Sequence, residues 1–277
     1  MSNSVNTNVG ALVALSSLRS VNNQLDKTSK QVQTGYKVAD ASDDAAVFAV
    51  AQGIRGNIKA YSSVQSSLAA SEGLGQVTAA ALTGVSNLIG DIKAKFANLA
   101  DGSLTTDQRT VYQNDVNQLI GQIQNYVSQA TYNGKNLLQA STSGTAVSFV
   151  ADVTGTTLTL QTSSDLASAV SNFSSAFSTD YTAAASYSSA VSALGTLESL
   201  VNSISATIAA QSRSITLQKG FVDDLVDATK KGLGALVDAD VAQESAALQS
   251  LQVRQQLNIQ ALSIANQQPN TLLSLFR

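Results

Sequence analysis

The sequence of 277 residues contains no cysteine, no histidine, no tryptophan and a single proline. Each absence closes off a class of function. Without cysteine there is no disulfide framework. Without cysteine or histidine the common zinc sites cannot be built. Neither a Ser-His-Asp nor a Cys-His nucleophile can be assembled. The chain is therefore not expected to be an enzyme, and no catalytic residue, cofactor or metal is expected. An average chain carries about 5% proline, so helices here are nearly free of breakers. Charged residues make up only 13% and the net charge is −3, which argues against nucleic acid as a partner. No apolar run reaches the ~18 residues of a membrane span, and Met1 to Thr7 lacks the basic and apolar regions of a Sec signal. Hydrophobic residues reach 44% but aromatics only 5%. Thin helix-to-helix seams are expected rather than a thick globular core.

What the chain does have is helical periodicity. Val5, Val9, Leu12, Leu15, Leu18, Val21, Leu25 and Val32 recur mostly at steps of three and four, one face of a helix over residues 4–34. Gly35 offers its C-terminal stop. Ser42-Asp43-Asp44 reads as a helix start with acid in the first turn. From Leu68 a strict heptad follows through Ser71, Gly75, Thr78, Leu82, Val85, Ile89, Ile92, Phe96 and Leu99, its first half weakened by the polar entries. Thr105 or Thr106 caps a further helix with the stripe Tyr112, Val116, Leu119, Ile123 and Tyr126. Asn133-Gly134 is a turn signal. Alternation through Val147, Phe149 and Ala151, then Leu158 and Leu160, predicts a β-hairpin near residues 143–162. Leu166, Val170, Phe173 and Phe177 return to helical spacing.

The longest pattern runs Leu194, Leu197, Val201, Ile204, Ile208, Gln211, Ile215, Gln218, Val222, Leu225, Thr229, Gly232 and Leu236. It predicts a long helix wrapped on a partner helix. Gln211 and Gln218 either sit at the exposed edge of this seam or fix its register as buried amides. After Gly234 two apolar faces appear. One runs Val241, Leu248, Leu251, Ile259 and Leu262, and the other Val253, Leu257, Ala261 and Ile264. Pro269 is expected just past this helix, with Leu272, Leu273, Leu275 and Phe276 as an apolar tail. One face can pair with the N-terminal helix. The second needs another partner, and many copies burying it head-to-tail would build an open helical assembly. The alternative is closure of every face within one bundle.

Five segments, in order, resemble bacterial flagellins. Asn6-Thr7-Asn8 precedes the first helix, and Ala41-Ser42-Asp43-Asp44-Ala45-Ala46 is similar to the family's Ser/Ala-x-Asp-Asp-Ala-Ala signature. Tyr132-Asn133-Gly134-Lys135-Asn136-Leu137-Leu138 resembles its Phe-Asn-Gly-x-x-Leu-Leu turn. Val237-Asp238-Ala239-Asp240-Val241-Ala242-Gln243-Glu244 and the ending from Ala265 to Arg277 resemble its C-terminal motifs.

The resemblance implies a mainly α subunit: long antiparallel helices in a hairpin-shaped coiled-coil or bundle arrangement, with a small β-hairpin. Residues 1–41 and 238–277 would form the inner-tube domain, and residues 42–237 the outer-tube rod domain, without the large outer domains of bigger flagellins. The function implied is assembly of the flagellar filament for swimming motility. The terminal stripes would carry contacts between copies, and the seam from Leu194 to Leu236 would hold the rod. A hook-filament junction protein or another coiled-coil adaptor is the alternative. Implied partners are other copies or sister flagellins, the type III export apparatus, a secretion chaperone, the filament cap and hook-junction proteins. No membrane partner is expected, and the location would be the extracellular filament, reached without a cleaved Sec signal. The lack of cysteine and near-lack of proline suit export of an unfolded chain, and equally suit any helical protein. The patch through which animal innate receptors recognise many flagellins aligns with Gly90, Asp91 and Lys95, where an acid replaces the recognition Arg and a cation the Leu. The Ser/Thr-dense stretch 141–192 is either O-glycosylated or simply polar.

Overall fold

The structure is a computed structural model in which residues 7–139, 146–162, 165–177 and 184–274 are described. In chain order the elements are α1 (Val9–Thr34), α2 (Ala45–Leu99), α3 (Thr106–Gln129), β1 (Ala146–Val150), β2 (Thr157–Gln161), α4 (Leu166–Phe177), α5 (Ala184–Val237) and α6 (Val241–Ser274). The mainly α class with a small antiparallel hairpin matches the expectation. The chain divides into two compact units, residues 1–58 with 227–277, and residues 59–226.

In the unit of residues 59–226, every member of the α2 heptad from Leu68 to Leu99 is buried. Its polar entries are buried with it. Ser71 Oγ donates to the Leu68 carbonyl and Thr78 Oγ1 to the Leu74 carbonyl, both at 2.8 Å, so neither hydroxyl is left unsatisfied. A Cβ on Gly75 would fall 2.7 Å from Ser212 Oγ of α5, so glycine there permits close approach. Thr105 caps α3 in a capping box with Gln108. The buried face of α3 is Val116, Ile120, Ile123 and Val127, which leaves Tyr126 at the surface. On α4, Leu166, Val170, Phe173 and Phe177 are all buried. The Phe96 ring stacks on Phe177 with centroids 5.4 Å apart. The residues buried on α2, α3, α4 and α5 form one continuous cluster with Leu160 of the hairpin. This unit thus has a thicker core than the aromatic-poor composition led one to expect.

On α5, Leu194, Leu197, Val201, Ile204, Ile208, Ile215 and Val222 are buried. Beyond Val222 the expected heptad fails. Val226 is buried in place of half-buried Leu225, and Val237 in place of Leu236, which is 39% exposed. An α-helix turns every 3.6 residues and drifts about 20° per heptad from a 3.5 repeat. Here the stripe takes up the drift by a step of four.

Gln211 and Gln218 are not amides buried within the seam. They are half-buried and hold the hairpin: Gln211 Oε1 accepts from the Gln161 N–H and Gln218 Nε2 donates to the Ala151 carbonyl, each at 3.0 Å. Ser67 Oγ on α2 accepts from the Val150 N–H at 3.1 Å. Two strands alone are marginal in water, and these bonds anchor the pair to the helices. Within it Val147 opposes Leu160 and Phe149 opposes Leu158. The Asn133-Gly134 turn has φ of 48° and 74°, the two positive values of a type I′ turn. Asn136 Nδ2 then donates to the Val127 carbonyl at 2.7 Å, and Leu137 and Leu138 that follow are fully buried.

In the unit of residues 1–58 and 227–277, α1 pairs with α6, their backbones approaching within 8 Å. Asn8 caps α1 by accepting from the Ala11 N–H, and Gly35 closes it at φ 72°. One expectation is overturned: α6 continues through Pro269 to Ser274 rather than stopping before it. Proline removes the N–H that would serve the carbonyl four residues back, and that carbonyl, Ala265 O, accepts instead from Asn8 Nδ2 at 2.7 Å.

Candidate assembly surface

The α1–α6 pair buries little. On α1, Leu15, Leu18, Leu25 and Val32 are half-buried and Val21 is buried. On α6, Leu248 and Leu262 are half-buried and Leu251 is buried. Gln255 Nε2 donates to Asn22 Oδ1 at 2.8 Å across the seam. Between Leu248 and Ala265 the residues of α6 that are not exposed are Leu248, Leu251, Gln255, Asn258, Leu262 and Ala265, again steps of three and four.

A second set of apolar residues is more than half exposed among the described residues of this unit. Val9, Leu12 and Val13 are 57%, 57% and 65% exposed on α1, and Val253, Leu257 and Ile264 are 56%, 57% and 65% exposed on α6. Val241 and Ile259, which share a sequence face with Leu248, Leu251 and Leu262, are exposed too. Ile259 follows inward-facing Asn258 by one residue, about 100° around the helix, and Val241 is the first residue of α6. A shallow groove beside Leu12, Leu15, Leu262 and Asn266 runs along the same end of the pair. Val5, Leu275 and Phe276 lie outside the described residues. For Leu272 and Leu273 only the backbone, within α6, is described.

The connectors α1–α2 and α5–α6 are laced together where two of the sequence motifs lie. The Lys37 N–H donates to the Val237 carbonyl at 2.7 Å, and the Ala239 N–H to the Gly35 carbonyl at 2.9 Å. Asp240 Oδ1 caps α6 through the Ala242 and Gln243 N–H groups. Asp44 alone caps α2, through Ala46 and Val47. Ser42 and Asp43 were expected to share that cap, but no acid lies in the first turn of α2. Asp43 turns back instead. Its Oδ2 accepts from the Ala39 N–H at 3.0 Å and pairs with Lys30 Nζ at 3.0 Å. Lys30 also pairs with Asp40 at 2.6 Å. Hydrogen bonding to Lys30 is the main cause that holds both carboxyls below the usual aspartate range, and in return it raises the Lys30 ammonium. Sequence periodicity gave no hint of Lys30 or Asp40.

Gly90 and Asp91 are exposed on α2. Lys95 is drawn toward α3, where its Nζ pairs with Asp115 at 2.8 Å and lies 5.6 Å from the Tyr112 ring centroid. No described helix is long and apolar enough to cross a membrane.

Comparison with known proteins gives consistent matches. Residues 5–143 match the bacterial flagellin N-terminal helical region, and residues 180–276 the bacterial flagellin C-terminal helical region. The chain is 35% identical to flagellin FljM of Caulobacter vibrioides, with 99% of each chain covered. It is 34% identical to a flagellin of Brucella melitensis biotype 1, again over 99% of each. Among solved structures, a putative flagellar hook-associated protein from Vibrio parahaemolyticus superposes with a TM-score of 0.60 at 14% identity. That match covers 71% of this chain and 100% of the other, a likeness of fold alone.

Proposed function

The chain belongs to the bacterial flagellin family, and from that premise we propose how it works as a structural subunit of the flagellar filament. The uncovered row on the terminal pair carries the contacts between copies. The observation that supports this is the exposure of Val253, Leu257 and Ile264 on α6 and of Val9, Leu12 and Val13 on α1. Fully burying one such side chain stabilises by about 1.5–3 kcal/mol. These are already partly covered, so roughly half of that remains for each. Repeated in every subunit through head-to-tail contacts that do not close, this gives a filament rather than a ring.

Residues 1–41 and 238–277 form the inner tube and residues 42–237 the outer rod. Val5 to Val32 and Val241 to Ile264 line the inner tube, and the tail Leu272, Leu273, Leu275 and Phe276 adds to the same contacts. The seam from Leu194 to Val222 keeps the rod rigid. The subunit reaches the filament through the flagellar export apparatus with a secretion chaperone, and adds beneath a cap, next to hook-junction proteins. The acid at Asp91 makes the patch at Gly90, Asp91 and Lys95 a weak activator of the animal receptor, which a receptor reporter assay reads directly.

Electron microscopy of purified chain tests the central claim. The native chain forms long filaments, whereas a Leu257→Asp, Ile264→Asp double variant keeps its helical circular dichroism and forms none. Filaments from the variant at native yield would sink the proposal.

A further inference from the structure

Asn8 lies just ahead of α1, and its side chain serves two helices at once. Oδ1 accepts from the Ala11 N–H at 3.0 Å, the bond of a helix cap. Nδ2 donates to the Ala265 carbonyl at 2.7 Å, 257 residues away. Ala265 is four residues before Pro269, and α6 runs on through that proline. In an unbroken helix the N–H of residue 269 would serve the Ala265 carbonyl, and proline has none. A carbonyl left unpaired beside a neighbouring helix is costly. The Asn8 amide supplies the missing donor. Gly10 stands next to it, where a Cβ would meet Ala265 Cβ at an ordinary 3.9 Å, so the start of α1 lies against this turn of α6.

We propose that Asn8 is a positioning residue for assembly. Its amide docks on the one carbonyl of α6 that Pro269 leaves open, and so fixes the register of α1 against α6. Register matters because a slip along the seam would displace the exposed Leu12 and Val13 of α1 relative to the exposed Leu257 and Ile264 of α6, and so change the spacing that a neighbouring copy would have to match. Pro269 is then a docking mark rather than a helix stop. Its absent N–H makes the Ala265 carbonyl an acceptor within the body of the helix, where the neighbouring carbonyls are served by the N–H four residues on. The assembly role rests on the filament reading; the clasp itself does not.

A cycle of variants separates the clasp from the cap. Serine caps a helix about as well as asparagine but is too short to reach Ala265. Alanine at 269 restores the backbone donor. Hydrogen exchange is followed on the full-length chain over residues 8–15 and 258–265 in the native protein, Asn8→Ser, Pro269→Ala and the double variant. Asn8→Ser speeds exchange in both segments roughly fivefold to tenfold, the worth of one such bond. In the double variant the loss shrinks to about twofold, because the helix now serves its own carbonyl. The same order holds for the lowest concentration at which filaments form. The clasp is overturned if Asn8→Ser exchanges like the native chain, if the double variant is as fast as Asn8→Ser, or if the native segments exchange at free-peptide rates. A native chain that forms no filaments while the exchange cycle holds would remove the filament reading and leave the clasp standing.

Discussion

The two compact units place their apolar residues in opposite ways. In residues 59–226 the large side chains point inward. Leu68, Ile92, Ile123, Leu160 and Phe173 are each less than 2% exposed, and four helices and a hairpin close on them. In residues 1–58 and 227–277 the apolar residues of α1 and α6 point two ways at once. One row makes a shallow seam with few buried members, and the other faces outward. A unit of the first kind has its stability within itself. A unit of the second kind gains much of its stability only when something covers it. On the proposed reading, the first unit serves folding and the second serves assembly.

The sharpest way to break this comparison is to truncate a large side chain in each unit. Phe173 is buried against Phe96, with ring centroids 6.3 Å apart. Phe173→Ala is expected to destabilise the isolated chain by about 3–5 kcal/mol, read as a lower melting temperature. Next in size is Leu257→Ala in the other unit. It leaves the melting temperature of the isolated chain within the scatter of surface changes, about 0.5 kcal/mol, yet raises the concentration needed for filament formation about tenfold. Equal effects of the two variants on the isolated chain would erase the distinction between the units.

Glycines give a smaller contrast of the same kind. A Cβ on Gly84 would fall 2.8 Å from the Tyr126 ring of α3. Gly84→Ala must push that ring off α2 and should cost about 1–3 kcal/mol. Gly56, on α2 in the terminal unit, has nothing within 4 Å. Gly56→Ala should raise stability by about 0.5–1 kcal/mol through helix propensity alone. Thermal melts of the two variants moving in the same direction would contradict the open packing assigned to the terminal unit.

What could be read from the sequence follows the same division. The heptads of α2 and of α5 up to Val222 were legible because a closed core imposes one repeating direction on each helix. The Asn133-Gly134 turn was legible because positive φ at both residues strongly selects this dipeptide. The terminal unit was legible only as amphipathic helices. Which of its faces pairs inward stayed open, since with apolar residues all round, periodicity does not select a face. Pro269 was misread as a stop because the rule against proline counts only bonds within one helix, and the compensating donor comes from the other end of the chain. The partners of Gln211 and Gln218 were missed for a related reason. They are backbone groups of a hairpin, and a heptad says nothing about those.

The smallest effect concerns the salt-bridged connector of the terminal unit. Asp40 and Asp43 have their carboxyls depressed chiefly by hydrogen bonds from Lys30. A depressed carboxyl contributes stability that is present above the ordinary aspartate value, near 3.9, and is lost as pH falls through the folded value. Lys30, being raised, contributes stability that is present below the ordinary lysine value, near 10.4, and is lost as pH rises beyond it. The connector is therefore firm at neutral pH and loosens first on the acid side. Lys30 and Asp40 are open to solvent while Asp43 is mostly covered, so the effect is local and partly screened by salt. In Lys30→Met, carboxyl chemical shifts followed by pH titration should show both aspartates moving back up toward their ordinary value. Asp40 should keep part of its depression, because the Ser42 N–H and hydroxyl still donate to its Oδ1. Titration curves for Asp40 and Asp43 that coincide with those of the native chain would show that Lys30 does not hold this connector, and that the backbone bonds between Gly35, Val237 and Ala239 hold it alone.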